Sequence, residues 1–174
     1  VKNILIYKLV LLNTLAIAWL SITNYQTDWF GKLVHSDTTG INYATLGLFV
    51  LVLLATMFYA FKLNKAFNII VAEPNRRWMV RKKNFEWIER AAGWMLFLGL
   101  IGTLYGLMIS LSGVNTGNIN SVDGLKTIGV QLISGLRIEI STTLIGAIMA
   151  MWTEVNYTIV KHTADHFTSL EVNQ

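Results

Sequence analysis

Residues 91–111 read AAGWMLFLGLIGTLYGLMISL and contain no charged side chain. A helix of about 20 apolar residues is long enough to cross a hydrocarbon core of about 30 Å. The stretch is more than a hydrophobic rod. Gly99, Gly102, Gly106 and Ser110 recur at spacings of three and four, which places them on one helical face. Small residues on one face let another helix approach closely. A span facing lipid on every side has no use for such a stripe, so 91–111 is expected to be a packed transmembrane helix. Thr103 lies at the edge of the same face.

Working outward, three more apolar runs cover 4–22, 43–61 and 128–152. Backbone polar groups must be satisfied internally in lipid, and a helix does this within one segment. The expected fold class is therefore all-α: a polytopic membrane protein with four transmembrane helices, forming a single membrane domain over 1–174. Composition agrees. Hydrophobic residues make up 53% and charged residues 14%, against about 25% charged in ordinary soluble domains. There is one proline and no cysteine, which excludes disulfides, thiol chemistry and zinc–cysteine sites.

The net charge is +4, but its distribution points away from nucleic acid. Lys62, Lys65, Arg76, Arg77, Arg81, Lys82, Lys83 and Arg90 cluster between the second and third runs. Such clusters mark the cytoplasmic side of a membrane, where anionic lipids and partner subunits are the expected neighbours. The segment 62–90 is then a cytoplasmic loop and 153–174 a cytoplasmic tail. Lys2 and Lys8 place the N-terminus on the same side. Residues 23–42 and 112–127 become outside loops. Ala16, Ile17 and Ala18 resemble a signal-peptidase site; cleavage there would leave three spans, and the four-span reading is preferred.

The loop 23–42 carries Asn24, Asp28, Gly31, Asp37, Thr38, Thr39 and Gly40, which read as turn and cap residues. Trp19, Tyr25, Trp29, Phe30 and Tyr43 around it read as interfacial anchors. The second span is expected to continue through Leu63, Ala66, Phe67 and Ile70 until Pro74 stops it. The stretch 75–90, with Trp78, Phe85 and Trp87, reads as a short helix at the membrane surface. Residues 113–122 are rich in glycine and asparagine and read as a loop. The last helix is expected to run for about 35 residues from Leu125 and to project beyond the bilayer.

The fourth span carries Arg137, Glu139, Ser141, Thr142 and Thr143. Gly135, Glu139, Thr143, Gly146, Ala147 and Ala150 line one face. A carboxylate within a span is costly and marks a bundle interior, a cavity or an ion path. Glu139 has three readings: an ion pair between subunits, a mouth residue that draws cations in, and a protonated relay. Arg137 and Glu139 are two residues apart and point to different faces, which disfavours pairing within one helix. Thr103, Thr142 and Thr143 are pore candidates, and their hydroxyls also have a plain use, bonding to a carbonyl one turn back. No aspartate or histidine lies at mid-span, so a proton path would need a carboxylate from a partner.

At these residues the chain resembles a known family. Gly99-Leu100-Ile101-Gly102-Thr103-Leu104-Tyr105-Gly106 looks like the third-span signature of the MotA/TolQ/ExbB proton-channel family. Gly135-Leu136 through Thr143-Leu144-Ile145-Gly146 looks like its fourth-span signature. The match covers about 91–157, and the four-span order resembles the flagellar stator arm. The resemblance implies a homopentameric ring in the bacterial inner membrane, with both termini cytoplasmic. It implies a pore lined by the third and fourth spans, around a dimer of a single-span partner similar to MotB, TolR or ExbD. That partner supplies the ion-binding aspartate, and Thr103 and Thr143 match the threonines that face it. Proton or sodium flow would drive an energy-transducing stator coupled to protein transport, motility or envelope work.

The chain departs from the family pattern in its short cytoplasmic loop, in Ile138 where a glutamate is common, and in Trp152 near a common proline. It reads as a divergent, reduced member. The resulting site assignment is Thr103, Thr143, Thr142 and Glu139 in an ion pathway, with Gly99, Gly102, Gly106, Gly135 and Gly146 in helix packing. The alternatives are a structural or assembly subunit and a self-sufficient small ion channel. His162, Asp165 and His166 read as a solvated helix end rather than a metal site. No cofactor is expected. With no GxxxxGK(S/T) loop and no nucleophile–base arrangement, the chain is not expected to be an enzyme.

Overall fold

The computed structural model describes residues 4–72, 86–112 and 122–172. Within them the chain forms five helices: α1 (Ile4–Thr27), α2 (Trp29–Ser36), α3 (Ile41–Ala72), α4 (Glu86–Ser112) and α5 (Val122–Val172). The helices α1, α3, α4 and α5 are each long and apolar enough to cross a membrane. By length and composition this is a multi-pass membrane protein.

The distribution of side chains explains why. The exposed surface of the long helices carries Trp19, Leu51, Phe58, Phe97, Leu104, Ile133 and Ile140, while the buried faces hold Asn13, Thr45, Thr56, Ser110, Thr142, Thr153 and Asn156. In water this arrangement would be inverted, because large apolar groups gain about 1.5–3 kcal/mol each on leaving the solvent. In lipid it is the stable one, since polar groups must find partners inside the bundle.

The core follows helical spacing. Leu5, Leu9 and Asn13 of α1, then Val52, Thr56, Ala60 and Leu63 of α3, turn inward at intervals of three and four. They pack around Ile88, Ala91 and Met95 of α4 and Ile145, Met149, Tyr157 and Val160 of α5. Phe49 and Trp152 join α3 to α5, with ring centroids 5.2 Å apart.

The segment 23–42 differs from the loop read from its turn residues. It contains the helix α2, whose Phe30, Leu33 and Val34 face inward and whose Lys32 and His35 are exposed. Asp28 takes the left-handed conformation, φ 47°, which ends α1 and redirects the chain. Asn24 Oδ1 accepts the backbone N–H groups of Phe30 (3.1 Å) and Gly31 (3.3 Å), which anchors the new helix start. Asp37 then caps α3: its carboxylate accepts Thr39 N–H and Asn42 N–H, each at 2.7 Å. Gly40, at φ 80°, makes the turn between them.

Two other boundaries shift. The last helix spans 51 residues rather than about 35. At 1.5 Å per residue it is about 77 Å long, far beyond the bilayer core. The third long helix begins at Glu86, so 86–90 is its first turn and not the end of a separate surface helix. Pro74, residues 75–85 and residues 113–121 of the stretch read as a loop over 113–122 lie outside the described residues, and Val122 already belongs to α5. The helix α3 reaches Ala72, as read from the sequence.

Candidate functional site along the α4–α5 seam

The helices α4 and α5 make the most extensive contact in the structure. Their glycines explain it. A β-carbon built on Gly146 would lie 2.8 Å from the Met95 carbonyl oxygen, and one on Gly99 would lie 3.0 Å from the Thr142 carbonyl oxygen. At Gly102 it would meet the Thr142 side chain at 2.5 Å, and at Gly106 it would meet Glu139 Cγ at 2.8 Å. At Gly135 it would overlap the Ser110 hydroxyl. The backbones thus approach to a distance that side chains forbid. The neighbour that occupies the stripe on α4 is α5 of the same chain.

Polar groups run along this seam. Gln131, Gly135, Glu139 and Thr143 follow one another at four-residue steps, on one side of α5. Thr103, half-buried on α4, donates to the Gly99 carbonyl at 3.0 Å and its hydroxyl also meets that of Thr143. This is the one hydroxyl–hydroxyl contact between α4 and α5 among the described residues. Ser110 donates across the seam to the Leu132 carbonyl at 3.1 Å.

Glu139 lies one turn from Thr143, its Cγ over Gly106. Its Oε1 is buried and has no hydrogen-bond partner among the described residues, and Gln131 Oε1 shares that state. Such groups are few in native proteins, and here two stand on one stripe. Arg137 points elsewhere: its Nε donates to Ser36 Oγ at 2.9 Å.

Thr142 is separate from the pair formed by Thr103 and Thr143. It is 1% exposed, its side chain lies against Gly102, and its hydroxyl donates to the carbonyls of Ile138 (3.0 Å) and Glu139 (3.2 Å). All its hydrogen bonding is within its own helix.

Two polar clusters escaped sequence reasoning. On α1 and α5, Asn13 Nδ2 donates to Asn156 Oδ1 at 2.7 Å, and Trp152 Nε1 donates to Asn13 Oδ1 at 2.7 Å. At the α2 end, Asn42 Nδ2 donates to Ser141 Oγ at 2.9 Å and to the Leu33 carbonyl at 3.2 Å. A lone asparagine in an apolar run is the available signal for the first, because buried amides require partners in lipid. Gln131 was missed in the sequence; its four-residue spacing from Gly135, Glu139 and Thr143 is the signal that points to it.

Among the described residues no group of three or more His, Cys, Asp or Glu side chains is arranged to hold a metal ion. No protein-family profile, no characterised protein and no solved structure matches this chain.

Proposed function

We propose that this chain is the channel-forming subunit of an ion-motive-force-driven transducer. In this reading several copies, five by resemblance, form a ring in a bacterial inner membrane with both termini cytoplasmic. A single-span partner dimer inside the ring supplies the carboxylate that binds a proton or sodium ion. The observation that carries the proposal is the half-buried Thr103–Thr143 hydroxyl pair. It stands on the same side of α5 as Gln131 and Glu139, whose buried carbonyl and carboxylate oxygens have no partner among the described residues. Hydroxyls and carbonyl-type oxygens replace hydration for a moving cation or proton. Each elementary charge crossing 100 mV releases about 2.3 kcal/mol, enough to bias a two-state contact of modest energy.

A second reading, a packing subunit without transport, is favoured by one feature. The glycines at 99, 102, 106, 135 and 146 are all engaged within one chain, which stability alone explains. The experiment that separates the two is native mass spectrometry of the purified complex, with and without a co-expressed single-span candidate, followed by ion flux in proteoliposomes. A ring holding two partner chains, with flux that requires both proteins, supports the transducer. An assembly that excludes the partner and conducts nothing supports the packing subunit. Flux from this chain alone supports the self-sufficient channel.

A further inference from the structure

The helix α2 lies beside α5, and between them runs an open groove of about 530 Å³. Its walls are apolar: Trp29 and Leu33 from α2, and Ile133, Leu136 and Ile140 from α5. Two cations also line it, Lys32 and Arg137. Arg137 is held by its Nε bond to Ser36 Oγ at 2.9 Å, which leaves its two terminal amino groups to bind elsewhere. Lys32 Nζ donates to the Thr27 carbonyl at 3.3 Å and keeps further N–H donors.

Among the described residues no carboxylate lies within ion-pair distance of either cation. Asp37 spends both oxygens on Thr39 and the start of α3. Asp28, one turn before Lys32, turns its carboxylate toward Gly31. Glu139 is on the other side of α5, over Gly106. Ile133 and Ile140 are among the most exposed apolar residues of α5, so the groove is continuous with the lipid-facing surface.

A guanidinium and an ammonium at the edge of an apolar wall call for a ligand that is anionic at one end and hydrocarbon at the other. Basic residues attract anionic headgroups, and the long stems of lysine and arginine lie along apolar surface with the charge at the headgroup level. Free phosphate satisfies the cations and leaves the wall uncovered. We propose that the α2–α5 groove binds an anionic phospholipid. Its phosphate rests between Lys32 and Arg137, and its acyl chain lies along Ile133, Leu136 and Ile140. This site is independent of the ion-driven reading above.

The test is lipid retention by the full chain, purified in detergent and offered phosphatidylglycerol or phosphatidylcholine of identical acyl chains, read by native mass spectrometry. The expected result is preferential retention of phosphatidylglycerol. That preference falls about fivefold for each cation removed in K32Q and R137Q and survives in R137K, which keeps the charge. I140W narrows the groove without touching either cation and is expected to lower retention of the lipid. It also keeps the question answerable if R137Q does not fold. Equal retention of the two lipids overturns the proposal, as does a preference unchanged in the K32Q/R137Q double variant. Competition by inorganic phosphate as effective as by whole lipid overturns it in favour of a simple anion site. An oligomer that dissociates in the double variant, with lipid retention unchanged, overturns it in favour of a contact between copies.

Discussion

The side-chain amides of Asn13 and Asn156 face each other across α1 and α5. Asn13 Nδ2 donates to Asn156 Oδ1 at 2.7 Å, and Asn156 Nδ2 donates back to Asn13 Oδ1 at 3.3 Å. Trp152 Nε1 adds a second donor to Asn13 Oδ1, and both amides also reach a carbonyl of their own helix. The first transmembrane helix makes few other contacts with α5, so this clasp fixes its register.

The clasp sets a test by double-mutant cycle. Removing Asn13 strands Asn156 Oδ1 and Trp152 Nε1, and removing Asn156 takes one partner from each end of the Asn13 amide; a buried polar group left unmet costs about 1–3 kcal/mol. N13L and N156L are each expected to lower the unfolding midpoint in detergent. The double variant N13L/N156L is expected to recover part of the loss, because no amide remains stranded and only Trp152 Nε1 has lost its acceptor. Additive losses in the double variant would show that the pair is not coupled.

The glycines of the seam are not equivalent to other glycines in the chain. G102A places a methyl group 2.5 Å from the Thr142 side chain, and overpacking of this kind costs about 1–3 kcal/mol. G47A meets nothing within 4 Å, and alanine is favoured over glycine in a helix by up to about 1 kcal/mol. Thermal unfolding of the two variants is expected to move in opposite directions. Equal effects would mean that α4 and α5 do not approach as closely as described.

Thr103 and Thr143 separate transport from packing. T103V and T143V keep the shape and delete a hydroxyl, with an expected stability change below about 1 kcal/mol. If the proposed transducer role holds, losing a ligand worth about 1.4 kcal/mol at the barrier slows ion passage about tenfold. T142S, away from the hydroxyl pair, is expected to leave flux unchanged. Flux in reconstituted vesicles of chain and partner is the measurement, and unchanged flux in T103V and T143V would show that the hydroxyl pair does not line the ion path.

Glu139 provides an independent check. A buried carboxylate oxygen without a partner is costly, and an amide of the same shape is cheaper to bury. E139Q is expected to raise the stability of the chain by about 1 kcal/mol and, if the proposed transducer role holds, to reduce ion flux. A destabilised E139Q would reveal that the carboxylate has a cationic partner in the assembled complex, consistent with an ion pair between subunits.

Asp37 links the short helix to the second span. D37A removes the acceptor for Asn42 N–H and Thr39 N–H, and loss of an N-terminal cap costs about 0.5–2 kcal/mol. Amide hydrogen exchange is expected to rise first at Thr39 to Asn42. Protection unchanged in this turn would show that the cap does not hold the helix start.

The four long helices were legible in the sequence because hydrophobic length is a local property. A run such as 91–111 satisfies its own backbone and needs no distant partner to be a helix in lipid. The stripe Gly99, Gly102, Gly106 and Ser110 was legible for the same reason, since spacing alone puts residues on one face. The helix α2 was less so. Phe30, Leu33 and Val34 have helical spacing, but eight residues among Asn24, Asp28, Gly31, Asp37 and Gly40 read as turns, and only packing against the bundle makes a helix this short persist.

What the stripe meets was decided by tertiary structure. Spacing announces a close approach without naming the neighbour; the fold supplies Thr142, Glu139 and Gly146 of α5. It likewise brings Asn13 to Asn156 and Arg137 to Ser36, partners separated by most of the chain. The physical reason is one of range. Helix formation and membrane insertion depend on residues within a turn or a span of each other. The pairing of buried polar groups depends on how whole helices dock, and docking is fixed by contacts that no local pattern contains.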